Sequence, residues 1–294
     1  MDAHADDLTL YHFPHSLCSQ KVRLALAEKG ARYEERVVNI GPAHENYEPW
    51  YMRLNPRGVV PTLVHDGEPI VDSARIVRYI DEHLPGPPLQ PEDPARHALM
   101  EEWIERQDQF PMRELSYGSG NSLLMPIGRA TILRRARILE AHRRKHPELA
   151  AAYAARIEDV RRWKQTVSSP QQLAALHQRL ADLLEELEAL LADEREWIVG
   201  EQYTLADIVW TVFLTRIRFL EGSEAFAETP GVRRYYERAR ARSSYERAGV
   251  RESVQTRELL PIILPFVLPR VAAALLVLSL LGYGVWTLTI TALG

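Results

Sequence analysis

A single cysteine, Cys18, stands in a chain of 294 residues. It excludes an intrachain disulfide and any Cys-rich zinc or iron–sulfur site, and it fits a reducing compartment. Lysine is nearly as scarce. Only Lys21, Lys29, Lys145 and Lys164 stand among 36 basic residues, an arginine bias of the kind GC-rich coding produces, which points to a bacterial source. The first residues, MDAHADD, carry neither basic charge nor an apolar run, so no secretory signal is expected. A net charge of −4 argues against a nucleic-acid binder. What remains is 46% hydrophobic and 26% charged. That is the composition of a globular protein of about two domains, and it excludes fibrous, disordered and disulfide-scaffold classes.

The average charge conceals blocks. Arg129 to Lys164 carries eleven Lys/Arg against four Asp/Glu, Asp182 to Glu196 seven acids against one arginine, and Gly231 to Glu258 eight arginines against four glutamates. Beyond them, Leu259 to Gly294 holds one charge, Arg270, and the 23 residues Val271 to Leu293 hold none. As a helix that run spans about 34 Å, enough for a hydrocarbon core of about 30 Å. A single-pass carboxy-terminal anchor over 271–293 is expected, within a hydrophobic tail at 259–294. The preceding arginines keep the soluble part on the cytoplasmic side, in a bacterium the inner membrane. Pro261, Pro265 and Pro269 interrupt 259–269, which reads as interfacial.

Hydrophobic spacing gives an α/β unit followed by an all-helical one. Thr9 to Phe13 reads as a strand, Ser16 to Lys29 as a helix ended by Gly30, and Tyr33 to Ile40 as a second strand. An irregular stretch, His44 to Gly58, follows. Pro61 to His65 and Glu68 to Val71 form a hairpin around Asp66-Gly67, and Ser73 to Leu84 returns to helical period. The α/β domain is placed at 1–85. Five prolines between Pro85 and Pro94 mark a linker, 86–94. The helical domain, 95–250, is read as Ala95 to Leu115, Gly128 to His146, Pro147 to Val167, Pro170 to Glu194, Thr204 to Leu220 and Pro230 to Arg242. A long basic insertion occupies about 125–169.

Four motifs stand out. In LTLYHFPHSLCSQKVRLALAEK, Leu8 to Lys29, a strand turns into a helix at Ser16. The unpaired N–H groups and positive dipole end there favour an anion, and a thiol placed at that point is pushed towards thiolate. Ser16 serves equally well as a plain N-cap. In NPRGVVPTL, Asn55 to Leu63, Pro61 has no N–H to donate and belongs at an edge or bulge. A cis Val60-Pro61 bond would turn the Val60 backbone outward for an extended peptide ligand. Asp72-Ser73 opens a helix: Asp72 can accept from an ammonium group while the Ser73 hydroxyl and helix N–H groups hold a carboxylate, or Asp72 is an N-cap alone. Thr204 to Asp207 has capping-box spacing and reads as structural. His142 and His146 are four apart but sit in AHRRKH, whose cations repel a metal. No metal is expected, and no nucleic acid, since the basic insertion carries no module signature.

The order of these motifs resembles the cytosolic glutathione transferase family over roughly residues 8–250. The family joins a thioredoxin-like domain carrying S-x-C-S-x-K-V-R and N-P-x-G-x-V-P to an all-helical domain carrying T-L-A-D. HSLCSQKVRL, NYEPWYMRLN, the Arg-rich insertion with His146 to Leu149, and the hydrophobic tail are most similar to its membrane-anchored subfamily, that of ganglioside-induced differentiation-associated protein 1. The resemblance implies that Ser16 donates a hydrogen bond to the glutathione thiolate. It further implies that Val60, before cis Pro61, pairs through its backbone with the cysteinyl unit. Asp72 and Ser73 would hold the γ-glutamyl end, Asp72 standing where Glu is usual. Lys21 occupies the place of a second cysteine, so a dithiol site is excluded, and Cys18 is expected to be a small core residue. The insertion is positioned to cover or reshape the electrophile site, and the family's habit implies a homodimer.

Two function classes follow. In the first the protein is an enzyme that activates glutathione as co-substrate and transfers its thiolate to an apolar electrophile or lipid-like ligand at a membrane surface. In the second it is a non-catalytic, membrane-tethered adaptor or lipid sensor on the same fold.

Overall fold

The computed structural model describes residues 8–118 and 125–253, except the side chains of 125–133, and scattered helical positions between 260 and 279. Four strands form one sheet in the order β2-β1-β3-β4: β1 Leu8–His12, β2 Glu34–Val37, β3 Thr62–His65 and β4 Glu68–Val71. β1 is parallel to β2 and antiparallel to β3, and β3 is antiparallel to β4. Helix α1, Leu17–Lys29, makes the crossover from β1 to β2. Gly30 ends it at φ 66°, its N–H returned to the last turn, as a left-handed cap requires.

The second strand is shorter than the expected 33–40. After Val37 the Asn39 N–H is taken by the Glu45 carboxylate at 2.7 Å, and the Gly41 N–H by the Asn39 side chain at 3.0 Å. These local bonds pull the chain off the edge of β1. The irregular stretch contains a short helix, α2 Pro49–Leu54, and the domain closes with α3 Ser73–His83. The linker is tied down. Lys29 Nζ meets the Asp81 carboxylate at 2.9 Å and the Pro87 carbonyl at 3.1 Å, and the Leu89 N–H reaches Asp81 at 2.8 Å.

The helical half comprises α4 Pro94–Asp108, α5 Met112–Gly118, α6 Met125–Lys145, α7 Ala150–Val167, α8 Pro170–Leu190, α9 Leu205–Glu221, α10 Pro230–Arg240 and α11 Ser243–Arg247. The expected helix 95–115 is broken in two because Pro111 cannot donate and crowds the preceding turn. Helix α9 is buried without interruption from Leu205 to Thr215, and its all-round apolar character suits it to a core. It packs on α4, where Trp210 Nε1 donates to the Trp103 carbonyl at 2.9 Å, and on α1, so the two halves share one core. Polar ties across the seam join Lys21 to Asp108 at 2.7 Å and Arg242 to Glu28 at 2.8 Å.

The basic insertion packs on the thioredoxin-like half and on α5. Its α6–α7 hairpin packs on the β2–α2 connection, where Tyr47 and Met52 share a core with Leu139, Tyr153, Ile157 and Trp163. Arg135 Nη1 donates to the Tyr47 hydroxyl at 3.3 Å and its Nη2 to the Ile40 carbonyl at 3.1 Å; the Tyr153 hydroxyl donates to the Tyr47 carbonyl at 3.0 Å. Part of the basic block is thus an internal brace. Among the described residues no helix is long and apolar enough to cross a membrane. The expected span 271–293 lies, apart from 271–273 and 279, outside the described residues.

Two buried histidines give the fold an acid limit. Burial, with the nearby charge of Arg23, lowers His12 to about 4; burial, Arg135 and Arg134 lower His44 to about 4. Their stabilisation is present above the unfolded value near 6.5 and is lost as pH falls through 4. Asp207 opposes them: burial pushes its carboxyl up to about 6, so its contribution grows as pH falls from 6 towards 4. Two protons taken up and one released on unfolding leave about one net proton. Stability is expected to fall by about 1 kcal/mol per pH unit between pH 6 and 4. Denaturant titrations across that range check it, and a flat or rising profile would contradict it.

Candidate active site

Strand register brings the predicted residues to one end of the sheet. Thr62 pairs with Val71, so Val60 and Pro61, just before β3, lie beside Asp72 and Ser73, just after β4. Tyr11 also pairs with Thr62, so the turn leaving β1 opens at the same end. Phe13 from that turn packs against the cluster of Val38, Tyr51 and Val60. Ser16, Val60, Pro61, Asp72 and Ser73 thus share one rim.

Ser16 is the N-cap of α1, with φ −72° and ψ 124°, and its hydroxyl oxygen accepts from the Ser19 N–H at 3.4 Å. The capping reading is realised, and the oxygen stands at a helix N-terminus where a thiolate is favoured. The preceding turn is braced: Pro14 receives Gln20 Nε2 at 3.2 Å and Arg23 at 3.0 Å. The Val60-Pro61 bond is cis. Among the described residues neither the N–H nor the carbonyl of Val60 has a hydrogen-bond partner.

The two preceding carbonyls are taken. Asn46 Nδ2 donates to Gly58 at 2.7 Å, and Tyr51 Oη and Asn55 Nδ2 donate to Val59 at 2.7 and 2.8 Å. Tyr51 and Asn55 also reach Thr62 Oγ1, each at 3.0 Å. Gly58 sits at φ +57°, where a Cβ would lie 2.9 Å from Met52 Sδ and 3.2 Å from the Asn46 carbonyl, so the turn excludes a side chain. This frame holds the loop while leaving the Val60 backbone groups unpaired.

Asp72 adopts φ 79° and ψ 119°, a strained conformation of the kind found at ligand clamps. Its Oδ1 accepts from the N–H groups of Ala74 and Arg75 at 3.1 and 3.4 Å, and its Oδ2 from Arg57 at 2.5 Å. Burial works to raise this carboxyl, but the Arg57 hydrogen bond and charge and the two amides hold it below the ordinary range. One lone pair on Oδ2 is left for an incoming cation. The Ser73 hydroxyl has no partner among the described residues, at the first turn of α3.

Arg57, Tyr51 and Arg216 were not singled out in the sequence. Arg57 lies inside NPRG, where a charge run alone gives no signal. Arg216, on α9, reaches across the halves to donate to the His15 carbonyl at 2.6 Å, one residue before Ser16. Cys18 is half-buried, not the closed core residue expected, because it lies on the first turn of α1 at this seam. A depression of about 490 Å³ lined by Tyr11, Arg36, Val37, Val38, Glu45 and Trp50 borders β2, and none of the five predicted residues lines it. Among the described residues no group of three or more His, Cys, Asp or Glu is placed to hold a metal. His142 faces Glu48 at 3.8 Å and His146 faces Glu148 at 3.5 Å instead.

Family profiles match this chain in two places: the glutathione S-transferase N-terminal domain over residues 15–83 and the C-terminal domain over 170–238. The tetrachloro-p-hydroquinone reductive dehalogenase of Sphingobium chlorophenolicum is 34% identical over 238 residues, 81% of this chain and 94% of that protein. The chain belongs to the glutathione S-transferase family. Human ganglioside-induced differentiation-associated protein 1-like 1 is 29% identical over 265 residues, 81% of this chain and 72% of that protein, in keeping with the subfamily resemblance. The theta class glutathione S-transferase of Xanthomonas axonopodis pv. citri, solved with glutathione bound, shares the fold with a TM-score of 0.61 at 24% identity, covering 83% of this chain and 97% of that one. All five predicted site residues of this glutathione S-transferase fall within 15–83, and the insertion falls between the two matched segments.

The Val60 frame gives a direct test. Asn55→Ala removes a donor shared by the Val59 carbonyl and Thr62. It is expected to cost about 1–3 kcal/mol of stability and to weaken glutathione binding by about tenfold, read by thermal unfolding and calorimetry.

Proposed function

We propose that the protein is an enzyme that binds glutathione on the rim of the thioredoxin-like domain and transfers its thiolate to an apolar electrophile held by the helical half. The observation that carries this reading is the unpaired Val60 backbone at the same end of the sheet as the strained Asp72-Ser73 corner and the Ser16 helix start. Val60 would pair with the cysteinyl unit, Asp72 and Ser73 would take the γ-glutamyl ammonium and carboxylate, and the Ser16 hydroxyl would donate to the sulfur. The thiol proton passes to solvent. The thiolate sulfur attacks the electrophilic carbon, the C–S bond forms, and the leaving group departs with the electron pair of its bond. The Sphingobium relative, named for its action on tetrachloro-p-hydroquinone, supports a halogenated aromatic as that electrophile.

The uncharged run Val271 to Leu293 and the eight arginines of 231–258 support attachment to the cytoplasmic face of a membrane, where apolar electrophiles partition. Calorimetry of the full chain with glutathione tests the reading. Micromolar to low-millimolar affinity is the expected result, and no binding would favour the adaptor.

A further inference from the structure

Among the described residues Arg216 is a guanidinium set in the seam with no carboxylate bonded to it. Among the described residues Arg113 and Arg156 pair with Asp159, Arg78 with Glu101 and Arg242 with Glu28, while Arg218 and Arg251 donate to the backbone carbonyls of Gly222 and Val250 close by in their own segments. Arg135 lacks an acidic partner, but it is only 7% exposed and is locked between Tyr47, the Ile40 carbonyl and the Trp163 ring. Arg216 differs. Its single hydrogen bond among the described residues goes from Nη2 to the His15 carbonyl, and its Nε and Nη1 are not closed off from solvent. Burial pulls its pKa down, and the groups that counter this are Tyr117 and Cys18, with no carboxylate among them.

A half-buried guanidinium with two nitrogens still open to solvent can receive an anion. The surroundings indicate what is missing. The guanidinium lies 5.5 Å from the ring of Phe219, itself 36% exposed, with Tyr117 on the α5 side and Cys18 on the α1 side. That is an aromatic wall with one fixed positive fork, one residue away from Ser16. Guanidinium presents paired N–H groups that match a planar oxyanion, and the Nη2 bond to the His15 carbonyl anchors it.

We propose that Arg216 determines the specificity of the electrophile subsite, receiving a carboxylate or phenolate oxygen carried by the aromatic electrophile while the glutathione sulfur at Ser16 attacks the ring. The inference rests on the transferase reading. It adds that the preferred electrophile is apolar in body and anionic at one end.

The test uses the full chain, glutathione and two electrophiles of equal shape, a para-chloro-dinitrobenzoate and its neutral amide, each corrected for its uncatalysed rate. The wild type is expected to favour the benzoate in kcat/KM. In Arg216→Gln the benzoate-to-amide ratio falls by about ten- to a hundredfold, the size of a charge-assisted contact, through KM rather than kcat. Arg216→Lys recovers part of it. An unchanged ratio, or equal loss on both electrophiles, would overturn the proposal and leave Arg216 as a brace for the His15 carbonyl. If neither electrophile is turned over although glutathione binds, the transferase reading fails by itself. The non-reacting dinitrobenzoate and dinitrobenzamide, followed by tryptophan quenching, then decide Arg216: tighter benzoate binding that Arg216→Gln abolishes supports it, and equal binding overturns it.

Discussion

Ser16→Ala is expected to lower kcat/KM for glutathione transfer by about a hundredfold, the usual cost of removing one donor aimed at developing or stabilised negative charge. The hydroxyl is an observed cap and, in the proposed reaction, a donor to sulfur, and the two separate in measurement. As the N-cap of α1 it accepts from Ser19 at 3.4 Å, and loss of a cap costs about 1 kcal/mol, or about 2–4 °C in a chain of this size. As the proposed donor to sulfur it would govern the thiol pKa. The alanine variant should therefore melt nearly as the wild type does, bind glutathione with similar affinity, and fail in rate at neutral pH. Ser16→Thr, which keeps the hydroxyl, should retain most of the activity. Equal rates for wild type and alanine would remove Ser16 from the chemistry and leave it a cap.

The largest loss of stability is expected at Asp207, far from that rim. Its carboxylate is fully buried and accepts four hydrogen bonds: Ile198 N–H at 3.0 Å and Tyr235 Oη at 2.9 Å on Oδ1, and Thr204 N–H at 2.7 Å and Thr204 Oγ1 at 2.9 Å on Oδ2. Asp207→Asn conserves the volume but replaces one oxygen with a donor. In either amide orientation a backbone N–H, of Ile198 or of Thr204, loses its acceptor inside the core. The expected cost is about 3–5 kcal/mol, a large part of a marginal total. Chemical unfolding measures it. A cost under about 1 kcal/mol would mean that the box does not organise the start of α9.

The capping box was legible because its spacing, Thr204 to Asp207, is local. So were the hairpin at Asp66-Gly67, the cap at Gly30 and the βα-ββα order, each of which depends on residues close in sequence. The five rim residues were legible through motif order. Their convergence required the register of β1, β3 and β4, which no single motif states. What stayed hidden depends on long-range packing. The Arg-rich insertion reads as a solvated face until Tyr47 is seen beneath Arg135 and Tyr153. The helix expected at 95–115 hid its own break at Pro111. Arg216 is one of many arginines in the chain, and only its place in the seam, where it donates to the His15 carbonyl, sets it apart.

Activation of glutathione is the central claim, and ultraviolet titration of the bound thiol tests it most directly. The thiolate absorbance of the glutathione complex, followed against pH in the full chain, should show a midpoint at least one unit below that of free glutathione, and Ser16→Ala should return it towards the free value. A bound thiol that titrates as it does in solution would contradict the account and turn attention to non-catalytic ligands of the same rim.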